Sequence, residues 1–264
     1  MTPINYRYFI QGHWTGPANE APAVTGAKFL RTLDSLSVID PLFSDWQVNR
    51  NWKIIEGDQP RLVPLDTARN HIAEIVEKGV AHDDFGKPTP GYGYKALAMA
   101  GARGPRQAAF VARTGLQFFE LSFGKHDVTS DLTIVTYPLF KAALLAITAT
   151  WDAQWSYAQA IRNDVVKVPV NFAPGVAAFR IDTAAQVPLD PRFPKSAFHV
   201  PWIIYLSAER AAGVTLAREI LTEHTSDGGL LMSATAERLD PMNPEHARRA
   251  RILAETMIAC VGQS

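Results

Sequence analysis

The chain has 264 residues, 47 % of them apolar, enough for one substantial core, and its 26 basic residues are matched by 26 acidic ones. A formal charge of zero disfavours a general nucleic-acid binder, which carries a basic excess against the phosphate backbone. The single cysteine, Cys260, excludes an internal disulfide, and its place in the apolar run ILAETMIACVG reads as an inert buried thiol.

In chain order, INYRYFIQGHW (4–14) is aromatic and β-branched and predicts an opening strand. The N-terminal stretch lacks the charged start and long apolar centre of a signal peptide, so a cytoplasmic protein is expected. In APAVTGAKFLRTLDSLS, Phe29, Leu30, Leu33 and Leu36 share one helical face while Lys28, Arg31 and Asp34 point away. Asp66 is placed to cap a second helix bearing Leu65, Ala68, Ile72, Ile75 and Val76, with Gly79 as its stop. Residues 79–95 (GVAHDDFGKPTPGYGYK) are polar and turn-rich and predict an exposed loop.

RQAAFVART and LQFFELSF, joined at Thr114-Gly115, predict a hairpin, and LTIVTY (132–137) a third strand. Pro138 opens a long helix, PLFKAALLAITATWDAQWSYAQAIRND, whose apolar circumference places it centrally in the core. Its run LFKAALLAITATW is too short to span a bilayer and contains Lys141, so no membrane partner is expected. Residues 163–200 are irregular and proline-rich, with a strand expected at VAAFRID (176–182), and WIIYLS (202–207) is an apolar strand. Hairpins cluster with helices between the clusters. The expected class is α+β, a largely antiparallel sheet with packed helices in one domain over 1–264.

TLAREILTEH (215–224) and GLLMSATAE (229–237) are strand-like, and the Asp227-Gly228 step between them supplies the positive φ of a tight hairpin turn. Asn243-Pro244-Glu245 starts the last helix: a capping side chain, a proline in the first turn, then an acid favoured by the helix dipole. Ala250, Leu253, Ala254, Met257, Ile258 and Val261 form its buried stripe, with Arg248, Arg249 and Arg251 outward. Asp227, Glu237, Asp240, Glu245 and His246 crowd this stretch, but turns and helix starts account for the acids.

Elsewhere the chemistry does not assemble. Ser122-Phe-Gly-Lys125 has S-x-x-K spacing, but it lies at a strand end and not at the helix start that would set the lysine beside the serine. His82-Asp83-Asp84 and His126-Asp127 lack the i, i+4 pairing or second cluster of a metal site. His13, His71 and His199 are isolated and read as structural. Residues 86–104 are glycine-rich without the order of a phosphate loop, and no G-x-S-x-G elbow occurs. No catalytic residue, metal or cofactor is expected; a small-molecule hydrolase using His82-Asp83-Asp84 or Ser122 and Lys125 is the alternative.

A series of phrases in fixed order resembles the immunity protein 52 family of bacterial polymorphic toxin systems. GHWTGP (12–17) is similar to that family's first strand end, IDPLFSDW (39–46) to the segment after its first helix, and TWDAQW (150–155) to its Trp-Asp-x-x-Trp motif. PWIIYLS (201–207) is similar to its Gly-Trp-x-x-Tyr-Leu-Ser strand, and DGGLLMSATAERLDPMNPEH (227–246) to its closing hairpin and helix start. Thr15 separates Trp14 from Gly16, Ala18 stands where a basic residue is common, and Pro201 replaces glycine. The motif residues Trp14, Trp151, Trp155, Trp202, Tyr205, Gly228 and Gly229 read as structural, with Trp151 and Trp155 four apart on one helical face.

The resemblance implies a non-catalytic antitoxin that binds a cognate toxin, a nuclease of restriction-endonuclease fold delivered by a type VI secretion system. Tight inhibition then needs aromatic anchors and charge complementary to a basic cleft. Asp83, Asp84, Tyr92 and Tyr94 in the 79–95 segment offer both, and the proline-rich 163–200 segment is a second candidate surface.

Overall fold

Every residue of the first strand, β1 (Tyr6–Trp14), is buried. A strand reaches that state only inside a sheet covered on both faces. β1 indeed lies between β6 (Phe118–Phe123) and β7 (Ala153–Arg162), at the middle of a ten-stranded sheet. The computed structural model describes residues 6–17, 19–50, 61–82, 87–101, 104–124, 130–162 and 199–261. The other strands are β2 (Gln47–Asn49), β3 (Leu62–Pro64), β4 (Lys95–Ala100), β5 (Ala108–Arg113), β8 (His199–Leu206), β9 (Leu221–His224) and β10 (Leu230–Ser233). Their order is β3-β2-β4-β5-β6-β1-β7-β8-β10-β9, antiparallel at every step. Helices α1 (Pro22–Ile39), α2 (Leu65–Arg69), α3 (Ile72–Lys78), α4 (Tyr137–Trp151), α5 (Ala208–Ala211) and α6 (Pro244–Val261) complete the α+β architecture that the sequence pattern predicts.

Register sorts the strand residues into two faces. On one, the rows Ala96–Ala112–Phe119–Gly12–Ser156–Tyr205 and Ala98–Phe110–Leu121–Ile10–Ala158–Ile203 cross from β4 to β8. α1 and α4 pack here. Trp151 is fully buried, donates from Nε1 to Thr32 Oγ1 of α1 at 2.9 Å, and meets the Trp14 ring at 4.5 Å. Phe140 of α4 contacts Tyr8, Phe123 and Trp202. Rings of this size dominate core energetics, and edge or offset contacts add to their area burial. At Gly12 a Cβ would lie 2.3 Å from the Phe119 ring and 2.7 Å from Ser156 Cβ, so only glycine allows that ring to cross β1.

Several sequence expectations are corrected. LTIVTY is not a strand: Asp131 Oδ1 accepts from the Thr133 N–H at 2.9 Å and hydroxyl at 2.7 Å, which closes a turn. Tyr137 already begins α4, capped by Thr136, whose hydroxyl accepts from the Leu139 N–H. That helix stops at Trp151, because Asp152 takes the left-handed conformation (φ 47°), and the chain passes directly into β7. Trp151 and Trp155 therefore share no helical face; they lie on opposite faces of the sheet.

Asp66 is not a cap. It sits exposed in the first turn of α2, 3.7 Å from Arg69 Nε, and the expected helix breaks at Asn70-His71 into α2 and α3. Gly79 does end α3, its N–H donating to Val76 O at 2.8 Å. Lys28 does not point away: it pairs with Glu20 at 2.7 Å and lies 5.8 Å over the Trp151 ring. Of 215–224 only β9 is strand, and β4, hidden in the KALAMA stretch, was not expected because alanine is a poor strand former. VAAFRID, and 163–198 as a whole, lie outside the described residues, as do the side chains of Met257, Ile258, Cys260 and Val261.

Candidate interaction surface

The opposite face of the same strands has a different composition. Its rows read Lys95–Arg113–Phe118–His13–Trp155–Leu206 and Leu97–Val111–Glu120–Gln11–Tyr157–Ile204. At its centre the Tyr157 hydroxyl donates to Gln11 Oε1 at 2.6 Å, Gln159 Nε2 donates to the same oxygen at 3.3 Å, and Gln11 Nε2 donates to Glu120 Oε2 at 2.8 Å. Beside this network His13 stacks on Trp155 at 4.3 Å and meets Phe118 at 5.3 Å. Burial pulls the His13 pKa down to about 4, so the imidazole is neutral near pH 7. Its Nδ1 is buried without a hydrogen-bond partner. The Arg7 guanidinium lies 5.7 Å over the Phe9 ring and is made less basic by burial, against which Glu120 acts.

The row ends at a cavity of about 420 Å³ whose walls include Val80, His82, Tyr94, Lys95, Arg113 and Leu116. Residues 79–82 and 93–95 form one side of it, held together across the segment. Val80 bridges Tyr94, His82 bridges Pro88, Ala81 N–H donates to Gly93 O at 2.9 Å, and Lys95 N–H donates to Gly79 O at 2.9 Å. Gly93, at φ 82°, follows the 3₁₀ turn Pro90–Tyr92 and turns the chain back toward the sheet. Tyr94 is then pinned to the β5–β6 connection: its N–H donates to Thr114 Oγ1 at 2.8 Å, and Thr114 N–H donates to Tyr94 O at 2.9 Å. The segment expected as an exposed loop is a bridged excursion wherever it is described.

Of the four residues singled out by sequence, the structure brings only Tyr94, half-buried, to this cavity. Asp83 and Asp84 lie outside the described residues; Tyr92 belongs to the 3₁₀ turn and its side chain lies outside them. The cavity wall carries cations. Lys95 and Arg113 are directly opposed across the β4–β5 ladder, and Lys95 is brought down to about 8 by burial first and by Arg113 second. Sequence reasoning passed over both. Their pairing depends on a register that only the assembled hairpin fixes.

The motif residues occupy the scaffold. Trp14, Trp151 and Trp202 are buried on the helix-covered side, and Trp155 is buried on the other face. The Tyr205 hydroxyl donates to Asp227 Oδ2 at 2.7 Å, and burial, followed by that carboxylate, raises the phenol's pKa. Asp227 Oδ1 accepts from the Thr225 hydroxyl and, at 3.1 Å, from Gly229 N–H; the Thr225 bond does most to keep the carboxylate ionised. Gly228 has φ 83°, and a Cβ on Gly229 would stand 2.6 Å from the Tyr205 ring. These residues build the β9–β10 hairpin and its contact with β8.

The remaining titratable groups are dispersed. Buried His246 accepts from Asp240 N–H at 3.1 Å and bonds Glu237 at 3.0 Å, and Glu245 is held down to about 2 by Arg248 and then Arg249. Ser122 is buried within β6, its hydroxyl 3.5 Å from Ala109 O; Lys125, His126 and Asp127 lie outside the described residues. Among the described residues no group of three or more His, Cys, Asp or Glu could hold a metal ion, and no helix is long and apolar enough to cross a membrane. A second concavity of about 580 Å³ lies between α1 and α2, edged by Asp34, Asp45 and Asp66, with Arg69 bonded to Asp34.

The class defined by these observations is an α+β protein built on one ten-stranded antiparallel sheet, with a polar and aromatic face opposite its helical layer. No family model matches the chain, and no curated protein matches it. Among solved structures it is similar to a T6SS protein of Pseudomonas aeruginosa, with a TM-score of 0.45 and 12 % identity over 94 % of this chain and 76 % of that one. A likeness at that level assigns neither partner nor activity.

Proposed function

We propose that the protein is an immunity protein, an antitoxin that neutralises a cognate toxin by stoichiometric binding. The observation that carries this reading is the convergence of the family-like motifs. Trp14 of GHWTGP meets Trp151 of TWDAQW at 4.5 Å. Phe43 of IDPLFSDW joins Trp202 of PWIIYLS through Phe123 and Phe140, at successive ring separations of 6.1, 4.7 and 5.1 Å. Phrases scattered over the sequence thus meet in one aromatic core. The ordered resemblance describes a shared scaffold more readily than a set of chance matches.

The partner proposed with it is a DNA-cleaving nuclease of restriction-endonuclease fold, delivered by a type VI secretion system and met in the cytoplasm of the producing cell. Inhibition would follow from plugging its cleft, holding it inactive or blocking its assembly, over an interface of about 1,200–2,000 Å². Co-expression with the toxin encoded beside the gene tests the proposal. Rescue of growth together with a co-purifying complex is the expected outcome; persistent toxicity despite soluble expression of this chain would overturn it.

A further inference from the structure

We propose that the cavity beside Tyr94, Lys95 and Arg113 is an anion site that receives a carboxylate, and that on the antitoxin reading, on which this part rests, the carboxylate is an acidic side chain of the toxin. The argument begins with the β4–β5 ladder. Lys95 and Arg113 are direct cross-strand partners, so both side chains leave the same face of the sheet. Cβ atoms so placed are roughly 5 Å apart, and like charges directly opposite are destabilising. The register therefore gathers two cationic side chains at one wall of the cavity, where an anion is favoured.

Arg113 adds a second, independent observation. Its Nε is buried and has no hydrogen-bond partner, and among the described residues no ion pair engages its guanidinium. A buried donor left unmade is destabilising, and guanidinium presents a planar fork suited to two-point capture of a carboxylate. Glu120, which acts on Lys95 from one row away, accepts from Gln11 Nε2 at 2.8 Å and faces the network and not the cavity wall. His82 is a further polar side chain in the wall, while Val80 and Leu116 give low-polarity surface, which strengthens an ion contact made against it. Tyr94, held on both backbone sides by Thr114, supplies a fixed aromatic edge. A volume of about 420 Å³ admits an aspartate or glutamate side chain with room to approach.

Two arms test the assignment. In the first, the free full-length chain is titrated with N-acetylglutamate amide and with N-acetylglutamine amide while backbone amide resonances are followed. Saturable shifts at Gly93–Lys95 and Arg113–Gly115 are expected with the charged probe alone, and Arg113→Gln should abolish them. Equal shifts with both probes, or none with either, overturn the anion site whatever becomes of the antitoxin reading. In the second arm, toxin binding by Arg113→Gln and Lys95→Gln is compared with the parent chain, after thermal melts establish that each variant folds. A loss of at least tenfold, partly restored by Arg113→Lys, supports the toxin as the source of the carboxylate. A folded Arg113→Gln variant that binds toxin as tightly as the parent chain overturns that source and leaves the antitoxin reading standing. A parent chain that binds no toxin removes the antitoxin reading, and with it the toxin as source, while the first arm still judges the anion site.

Discussion

The two faces of the sheet are made by the same strands yet obey different rules. Under α1 and α4 the rows alternate alanine and glycine with large rings, and polar atoms are paired inward, as with Trp151 Nε1 on Thr32 and Thr148 on Ser156 at 2.6 Å, with Trp46 Nε1, stacked beside Phe43, the buried exception. Across the sheet the rows carry Arg113, His13, Gln11, Glu120 and Tyr157, and two buried nitrogens, His13 Nδ1 and Arg113 Nε, have no hydrogen-bond partner. The first face spends its side chains on cohesion. The second retains polar groups that a fold alone would not require, and such sites are where local rules of stability yield to function.

The comparison can be broken most forcefully at Trp151. Trp151→Ala empties the junction of α4, β1 and α1 and leaves Thr32 without its donor; a loss of about 3–5 kcal/mol is expected, read from the urea midpoint. The opposite face should show its weakness through acid. Folded His13 titrates near 4, below its ordinary 6.5, so the unfolded chain binds the proton more readily. Its contribution is whole above pH 6.5 and is lost as pH falls through about 4. Roughly 3 kcal/mol should disappear over that window, and His13→Phe should flatten this part of the pH–stability curve. If the two curves run parallel, His13 is not the buried neutral group described.

A smaller effect is expected at Gly12→Ala, where the added methyl must displace the Phe119 ring and Ser156; overpacking of that kind costs about 1–3 kcal/mol, measurable by thermal unfolding. The smallest is Arg113→Gln, which should leave stability within about 1 kcal/mol of the parent while weakening binding of the proposed toxin. A large loss of stability there would make Arg113 part of the scaffold and erase the distinction between the faces.

Much of the scaffold was legible because local signals agreed. The bulk of Tyr6–Trp14, the helical stripe of Phe29, Leu33 and Leu36, the Thr114-Gly115 hairpin and the Asp227-Gly228 turn each declare themselves within a few residues. The α4–β7 boundary did not, since TWDAQW is apolar on both sides and the switch is a single left-handed residue, Asp152. β4 was hidden by its alanines, which suit a shallow sheet face under helices but carry little strand preference of their own. The cavity was the least legible part. Tyr94 could be picked out as an aromatic in a turn-rich segment, whereas the opposition of Lys95 and Arg113 exists only once residues eighteen apart are registered.

Hydrogen–deuterium exchange of this chain in complex with the proposed toxin tests the division of labour most directly. The account predicts slowed exchange at residues 79–82, 93–95 and 113–116, with the solvent sides of α1 and α4 and the concavity between α1 and α2 unchanged. Protection confined to those helices or to that concavity, with the Tyr94–Arg113 cavity exchanging as in the free chain, would contradict it.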